Sequence, residues 1–245
     1  MREEMKAAGI EVASNAGFHA PMESYDKVTE KLLTEQGFSH FISFMDATDS
    51  RLPFFAAPVD TNSQLKHSLV VLPRTQGGPE DSEDDEGPGN VLKTYLAELD
   101  LAEKMASLSV VRIPNQSMLG APELKVFFED MKTRQGHMWI ATGSQTANWW
   151  RERERVKTDL DTLSTVPLLT VTIDKGEPLQ QAVTVLVNLP EIGSALRLAS
   201  KDYNPKTPKV IAVDPWRAAV VLKGLDAGTY RWQLYFDRAV VSNAK

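Results

Sequence analysis

The sequence predicts an α/β chain in two parts, and three observations carry that prediction. Over residues 1–162, strand, loop and helix patterns recur in turn, which points to a layered structure with mainly parallel strands. Over residues 163–245 the period changes. Short strand candidates follow one another with Gly, Pro, Asn and Asp between them and no helix of ordinary length, the pattern of a small all-β sandwich. The chain has 245 residues, 42% hydrophobic and 24% charged, so it can bury a core without disulfides.

The first part opens with a helical stretch over residues 2–8, for which Gly9 is the stop. Ile10 to Ala13 reads as a short strand. Ser24 is a suitable N-cap for a helix running to about Gln36, with Val28, Leu32 and Leu33 on its apolar face and Gly37 as terminator. Phe38 to Phe44 is a second strand candidate, residues 46–66 are irregular, and Leu69 to Leu72 is a short strand of buried type. Residues 76–90, QGGPEDSEDDEGPGN, are rich in acids and lack apolar side chains. Such a segment cannot bury enough surface to offset its chain entropy and reads as a mobile loop. A calcium loop is the alternative, although EF-hand spacing is absent. Val91 to Met105 has helical periodicity, Val110 to Ile113 reads as a strand, and Pro122 to Gln135 is a helix with Pro at a permitted early position. Met138 to Ala141 reads as another strand, and Ser144 is placed to cap a last helix, SQTANWWRERERVKTDLD.

The second part offers strands over 166–173, 182–189, 209–214, 217–225 and 229–236. Leu225 to Tyr230 reads as a turn feeding the last of these, in which Tyr230, Trp232, Leu234 and Phe236 alternate. From about residue 163 this part is expected to fold by itself.

Charge and composition exclude several functions. The net charge is −6 with no basic tract, which argues against a nucleic-acid partner. There are no cysteines, so disulfides, thiolate metal sites and cysteine nucleophiles are excluded, while the compartment stays open. No apolar run reaches the roughly 18 residues of a membrane span. The N-terminal MREEMKAAGIEV is charged and has no apolar segment of signal-peptide type. The chain contains no Walker-type loop, Gly-x-Gly-x-x-Gly, His-Glu-x-x-His or Gly-x-Ser-x-Gly. Its histidines, His19, His40, His67 and His137, have no partner three or four residues away, so none forms a helical metal-ligand pair. Asp84-Asp85 pairs two carboxylates, but in the loop expected to be mobile.

Three stretches carry a resemblance. Gly17-Phe18-His19-Ala20-Pro21, followed by a helix ending Leu32-Leu33-Thr34-Glu35-Gln36-Gly37-Phe38, resembles the Gly-Phe-Arg-Ala/Pro-Pro-Tyr segment and following helix of the polysaccharide deacetylase (NodB homology) family. Val70-Val71-Leu72-Pro73-Arg74-Thr75 is similar to a strand that follows a long insertion in one branch of that family. Trp139-Ile140-Ala141-Thr142-Gly143-Ser144, continuing through Ala147-Asn148-Trp149-Trp150-Arg151-Glu152-Arg153-Glu154, is similar to the closing strand and helix of the same branch. The resemblance covers about residues 1–160, and the last stretch is the most specific.

The resemblance implies the C-terminal portion of a (β/α) deacetylase-type barrel, followed by the β-sandwich domain. It implies metal-dependent hydrolysis of acetyl groups on carbohydrate, with zinc or a similar ion polarising the carbonyl and activating water, and with a carboxylate base and a late-strand histidine acid. The partner implied is a polysaccharide or oligosaccharide. The family's Thr-Phe-Asp-Asp and His-x-x-x-His segments are absent from this chain, so it is read as beginning inside the barrel. His19 stands where the family has an arginine that orients the base, and it is the catalytic candidate. The late histidine is expected near Val110 to Asn115, which reads VVRIPN. The expectation is therefore a truncated or pseudoenzyme form without zinc-dependent deacetylase activity as this chain alone. The alternative is a non-catalytic carbohydrate- or protein-binding module on the same scaffold.

Each residue also has a plainer reading. The plainer reading of His19, and the favoured one, is a hydrogen-bonded loop histidine. Trp149 and Trp150 point about 100° apart on a helix, one ring packing and the other covering an edge or stacking on sugar. Arg151 to Arg155 alternates charge, as a solvated helical face with local ion pairs would. Trp216, Tyr230 and Trp232 form either an aromatic platform for sugar or core packing of a small sandwich.

Overall fold

The computed structural model describes residues 2–9, 13, 16–20, 25–44, 51–56, 68–75, 88–111, 113, 120–201 and 206–238. These fall into two compact units, one made of the described residues up to Ala147 and the other of those from Asn148 on.

In the first unit, helix α1 (Arg2–Ala7) ends before Gly9, whose φ of 76° is the left-handed geometry expected of a helix stop. Strand β1 (Gly17–His19) is followed by α2 (Lys27–Glu35) and β2 (His40–Phe44). The cap of α2 is Asp26, and the predicted cap Ser24 lies outside the described residues. The Thr29 amide donates to Asp26 Oδ1 at 2.8 Å, and the Asp26 amide donates to Thr29 Oγ1 at 3.4 Å, a reciprocal capping box. Gly37, at φ 70°, closes the helix as predicted. Its apolar face is narrower than expected. Leu33 is buried, while Val28 and Leu32 are exposed. Residues 28 and 32 share a stripe at i and i+4, and Leu33 is rotated about 100° away from it.

Strands β3 (Phe54–Phe55) and β4 (Val70–Arg74) complete an open four-stranded sheet of order β1-β2-β4-β3. β1, β2 and β4 run parallel, and β3 is antiparallel to β4. One face of the sheet packs Phe41 and Val71 against Leu33, Phe38 and Leu69, with Phe18 and Tyr25 alongside. Tyr25 meets Phe41 edge-on at 4.9 Å between ring centroids, and its hydroxyl lies 3.1 Å from Ser43 Oγ. β4 is buried at every residue, as a parallel strand covered on both faces should be.

Helix α3 (Pro88–Met105) takes in residues 88–90 of the predicted acidic loop, and residues 76–87 lie outside the described set. It packs Val91, Tyr95 and Leu99 against Phe127 of α4 (Ala121–Arg134). Arg134 at the end of α4 donates to Asp130 at 2.6 Å, Asp100 at 2.7 Å and Glu103 at 2.9 Å. The Asp130 hydrogen bond, with Asp100 beside it, raises the Arg134 pKa further above its ordinary range. Arg51 and Glu98 form a buried ion pair.

Two predicted strands are corrected. Val110, Val111 and Ile113 lie in no strand. The Val110 amide donates to Thr75 Oγ1 at 3.0 Å, while its carbonyl accepts from the Thr75 amide at 3.2 Å, so a hydroxyl replaces a ladder partner. Met138 to Ala141 also forms no strand. The Met138 amide is engaged by the Arg134 carbonyl at 2.8 Å, and Trp139 and Ile140 are exposed. Apolar runs this short carry no period that separates strand from loop. The predicted strand over Ile10 to Ala13 lies outside the described residues, except for Ala13, which is in no element.

Helix α5 (Gly143–Glu154) begins on Thr142 rather than Ser144. The Gln145 amide donates to Thr142 Oγ1 at 3.3 Å, and the Thr142 amide donates to Gln145 Oε1 at 2.8 Å. The helix stops at Glu154, short of the predicted Asp161. Residues Val156–Asp161 are instead β5, antiparallel to β6 (Leu168–Ile173) in register from Val156↔Ile173 to Asp161↔Leu168. All-β pairing therefore begins before residue 163. None of its residues is buried, and the alternation of Val156, Thr158 and Leu160 with Lys157, Asp159 and Asp161 is the period-2 signal that the helix reading overlooks.

The second unit continues with β7 (Val183–Asn188), β8 (Ala195–Ser200), β9 (Lys209–Asp214), β10 (Arg217–Leu222) and β11 (Gly228–Asp237). Two antiparallel sheets result, β5-β6-β11-β8 and β7-β10-β9. β8 was not predicted. Leu169, Val171 and Ile173 of β6, Leu196 and Leu198 of β8, Val220 and Leu222 of β10, and Tyr230, Trp232 and Leu234 of β11 share one core. The alternation read in the last strand is what the structure shows.

Candidate functional site

The parallel sheet of the first unit has a second face, opposite the one that carries Phe41 and Val71. Register places Gly17, His40 and Val70 side by side on it, and His19, Ile42 and Leu72 two residues further along. His19, the predicted catalytic residue, is exposed at the C-terminal end of β1, the end at which parallel α/β sheets present their ligands. Arg74 closes β4 at the same end and is buried. With strands about 4.8 Å apart and residues rising about 3.3 Å, the Cα atoms of His19 and Arg74 lie on the order of 12 Å apart.

His40 is the residue that motif reading missed. It is 6% exposed, and its Nδ1 lies 2.7 Å from Ser39 Oγ. Its ring is held between two glycines. A Cβ placed on Gly17 or on Gly143 would overlap the imidazole at Nε2. Two stretches that carry the deacetylase resemblance, around Gly17 and around Gly143, thus meet on one histidine. The third, Val70 to Thr75, pairs alongside it through His40↔Val70. The signal was present as two glycines, but only their convergence gives them meaning.

The remaining candidates separate. His67 lies outside the described residues. His137 Nε2 is 3.0 Å from Glu103 Oε1 at the exposed end of α4. Of the segment expected to hold a late histidine, Arg112, Pro114 and Asn115 lie outside the described set. Among the described residues, no three His, Cys, Asp or Glu side chains come together. The described residues therefore do not fit a zinc ion, and no step through a metal follows from them.

The aromatic candidates also divide. Tyr230 and Trp232 stack at 5.6 Å within the core. Core packing is thus the reading that holds for Tyr230 and Trp232, and Trp216 is exposed. The Trp149 indole donates to the Ala182 carbonyl at 3.0 Å, while Trp150 is buried with the Arg153 guanidinium 4.5 Å above its ring. The charged stretch Arg151 to Arg155 is not a uniformly solvated face. Arg151 is buried, and desolvation lowers its pKa to about 10, still charged near neutrality. Glu152 accepts the Gln180 and Gln181 amides at 3.0 and 2.6 Å.

Among solved structures, the chain is similar to that of a protein from Mycobacterium smegmatis assigned as a polysaccharide deacetylase. The identity is 25%, over 61% of this chain and 53% of that one, with a TM-score of 0.44. The chain spans about half the length of that protein, and the score does not establish a shared fold. No protein-family profile matches the sequence, and no curated protein does. Among the described residues no helix is long and apolar enough to cross a membrane.

Proposed function

We propose that this chain is a carbohydrate-binding relative of the polysaccharide deacetylases, built on part of their barrel and followed in sequence by a β-sandwich domain, and without deacetylase activity by itself. The observation that supports this reading is the convergence at His40. Both glycines belong to stretches that resemble the family, and they close on one imidazole at the β1–β2 pair. His19 stands at the open end of that same sheet face, where an imidazole can exchange hydrogen bonds with sugar hydroxyls. Among the described side chains no metal-ligand set comes together, and the imidazole that lies 2.7 Å from the Ser39 hydroxyl, His40, is itself only 6% exposed.

The test is an acetate-release assay on acetylated chitin and xylan oligosaccharides, with added zinc and with a chelator. The expected result is no zinc-dependent release, together with binding of at least one oligosaccharide that His19→Ala weakens. Release that a chelator abolishes would overturn the non-catalytic reading. Absence of any oligosaccharide binding would overturn the carbohydrate reading.

A further inference from the structure

The second unit leaves the edge of β5 open. β5 ends its sheet, and among the described residues it pairs only with β6. The Asp174 amide donates to the Arg155 carbonyl at 2.9 Å. Antiparallel strands turn alternate residues toward the partner. Counting from Arg155, the backbone groups of Lys157, Asp159 and Asp161 point to β6, and those of Val156, Thr158 and Leu160 point away from it. An edge that presents such groups is a template for another strand.

The side chains of the same edge alternate too. Val156, Thr158 and Leu160 lie opposite Ile173, Val171 and Leu169, which are buried in the core, so they share the inward face. Thr158 is nevertheless exposed, and Leu160 is 47% exposed. The inward face is therefore uncovered at this edge. Lys157 and Asp159 stand exposed on the outward face, and the Lys157 ammonium also reaches Asp174 at 2.9 Å.

We propose that β5 is the surface through which two copies of this chain join, edge to edge and antiparallel, about a two-fold axis at Thr158. An axis perpendicular to the sheet keeps inward side chains inward, and it requires the backbone groups that point away from β6 to meet their own kind. Both conditions hold when Thr158 lies opposite Thr158 of the second copy. Val156 then exchanges hydrogen bonds with Leu160 of the second copy, on the inward face, and the symmetry repeats the pair. Lys157 stands opposite Asp159 of the second copy, also twice, at positions without ladder hydrogen bonds, where opposed side chains come closest. Moving the register two residues either way sets Lys157 against Lys157 or Asp159 against Asp159, and like charges directly opposite are destabilising. The run Val-Lys-Thr-Asp-Leu is thus complementary to itself in reverse. An unrelated strand would find the backbone groups but not the matched charges, which selects a second copy as the occupant. Five residues rising about 3.3 Å each give about 17 Å of edge, less than the roughly 800 Å² per partner of a permanent complex requires, so the dimer exchanges with monomer. This pairing does not depend on the carbohydrate reading.

The experiment is sedimentation equilibrium of the full chain over a concentration series reaching about 1 mM. The expected result is a monomer–dimer equilibrium. Asp159→Lys sets lysines opposite one another and should weaken it about tenfold, with the thermal midpoint of the monomer unchanged. Adding Lys157→Asp to that variant restores opposite charges in swapped positions and should recover the dimer. Thr158→Pro removes an amide that points away from β6, and should abolish the dimer without breaking the β5–β6 ladder. A chain that stays monomeric throughout the series overturns the proposal. So does a dimer that neither Asp159→Lys nor Thr158→Pro weakens, which would assign association to another face. Loss in Asp159→Lys without recovery in the double variant overturns the register.

Discussion

In the first unit, β4 is buried at each residue from Val70 to Arg74. In the second unit, β6 alternates, with Leu169, Val171 and Ile173 buried and the residues between them half-buried. The first is the mark of a parallel strand covered on both faces, the second of an antiparallel strand with one face inward. The difference extends to the cores. The antiparallel sheets of the second unit meet in one cluster that draws on β6, β7, β8, β10 and β11. The first unit divides its burial between a sheet cluster around Phe41 and a helix cluster around Tyr95. A continuous core makes every inward residue matter to the whole unit. A divided one places more weight on close contacts between particular residues, such as the glycines around His40.

The largest effect that would test this contrast is expected at Trp232, which is fully buried at the centre of the shared core. Trp232→Ala is expected to cost about 3 to 5 kcal/mol. Chemical denaturation followed by the signals of both units should show the second unit melting early. Unfolding of both at the unchanged midpoint would contradict the picture of a core on which the second unit depends.

An intermediate effect is expected at the glycine clasp. Gly143→Ala drives a methyl into the His40 ring and is expected to cost about 1 to 3 kcal/mol. Adding His40→Ala removes the overlap, so the double variant should recover part of that loss. A double-mutant cycle measures the coupling directly. Strictly additive losses would mean that the first unit relaxes around the clasp and does not depend on it.

The smallest effect concerns the cap of α2. The Thr29 amide and hydroxyl bonds hold the Asp26 carboxyl below its usual range. A carboxylate with a depressed folded pKa adds stability above its unfolded value, near 3.8, and that contribution disappears as pH falls through the folded value. Asp26→Ala should therefore lower the thermal midpoint at neutral pH, and the gap from the parent chain should close as the solution is acidified below that range. A gap independent of pH would show that the cap acts through its geometry alone.

Much of the second unit was legible because its strands announce themselves by alternation and by turn residues, as Tyr230, Trp232 and Leu234 do. β5 was passed over despite its alternation. Its residues are not buried, and Val156–Asp161 continues a charged helical stretch without a Gly or Pro between them. The start of α5 was misplaced by two residues because Thr142 and Ser144 are both competent caps, and the Gln145 side chain decides between them. In the first unit, His19 was found by its place in a motif, whereas His40 was passed over as one of four scattered histidines.

By itself the sequence determined the change from mixed α/β to all-β order, the glycine stops at Gly9 and Gly37, the inward positions of β11 and the lack of any cysteine chemistry. These depend on local backbone freedom, side-chain period and composition, which neighbours along the chain decide. Tertiary structure alone decided that Leu33 is buried while Leu32 is exposed, that Trp216 is exposed while Trp232 is buried, and that Gly17 and Gly143 close on His40. Each of those outcomes depends on which distant segment supplies a hydrogen-bond partner or occupies a volume, and no local pattern encodes that.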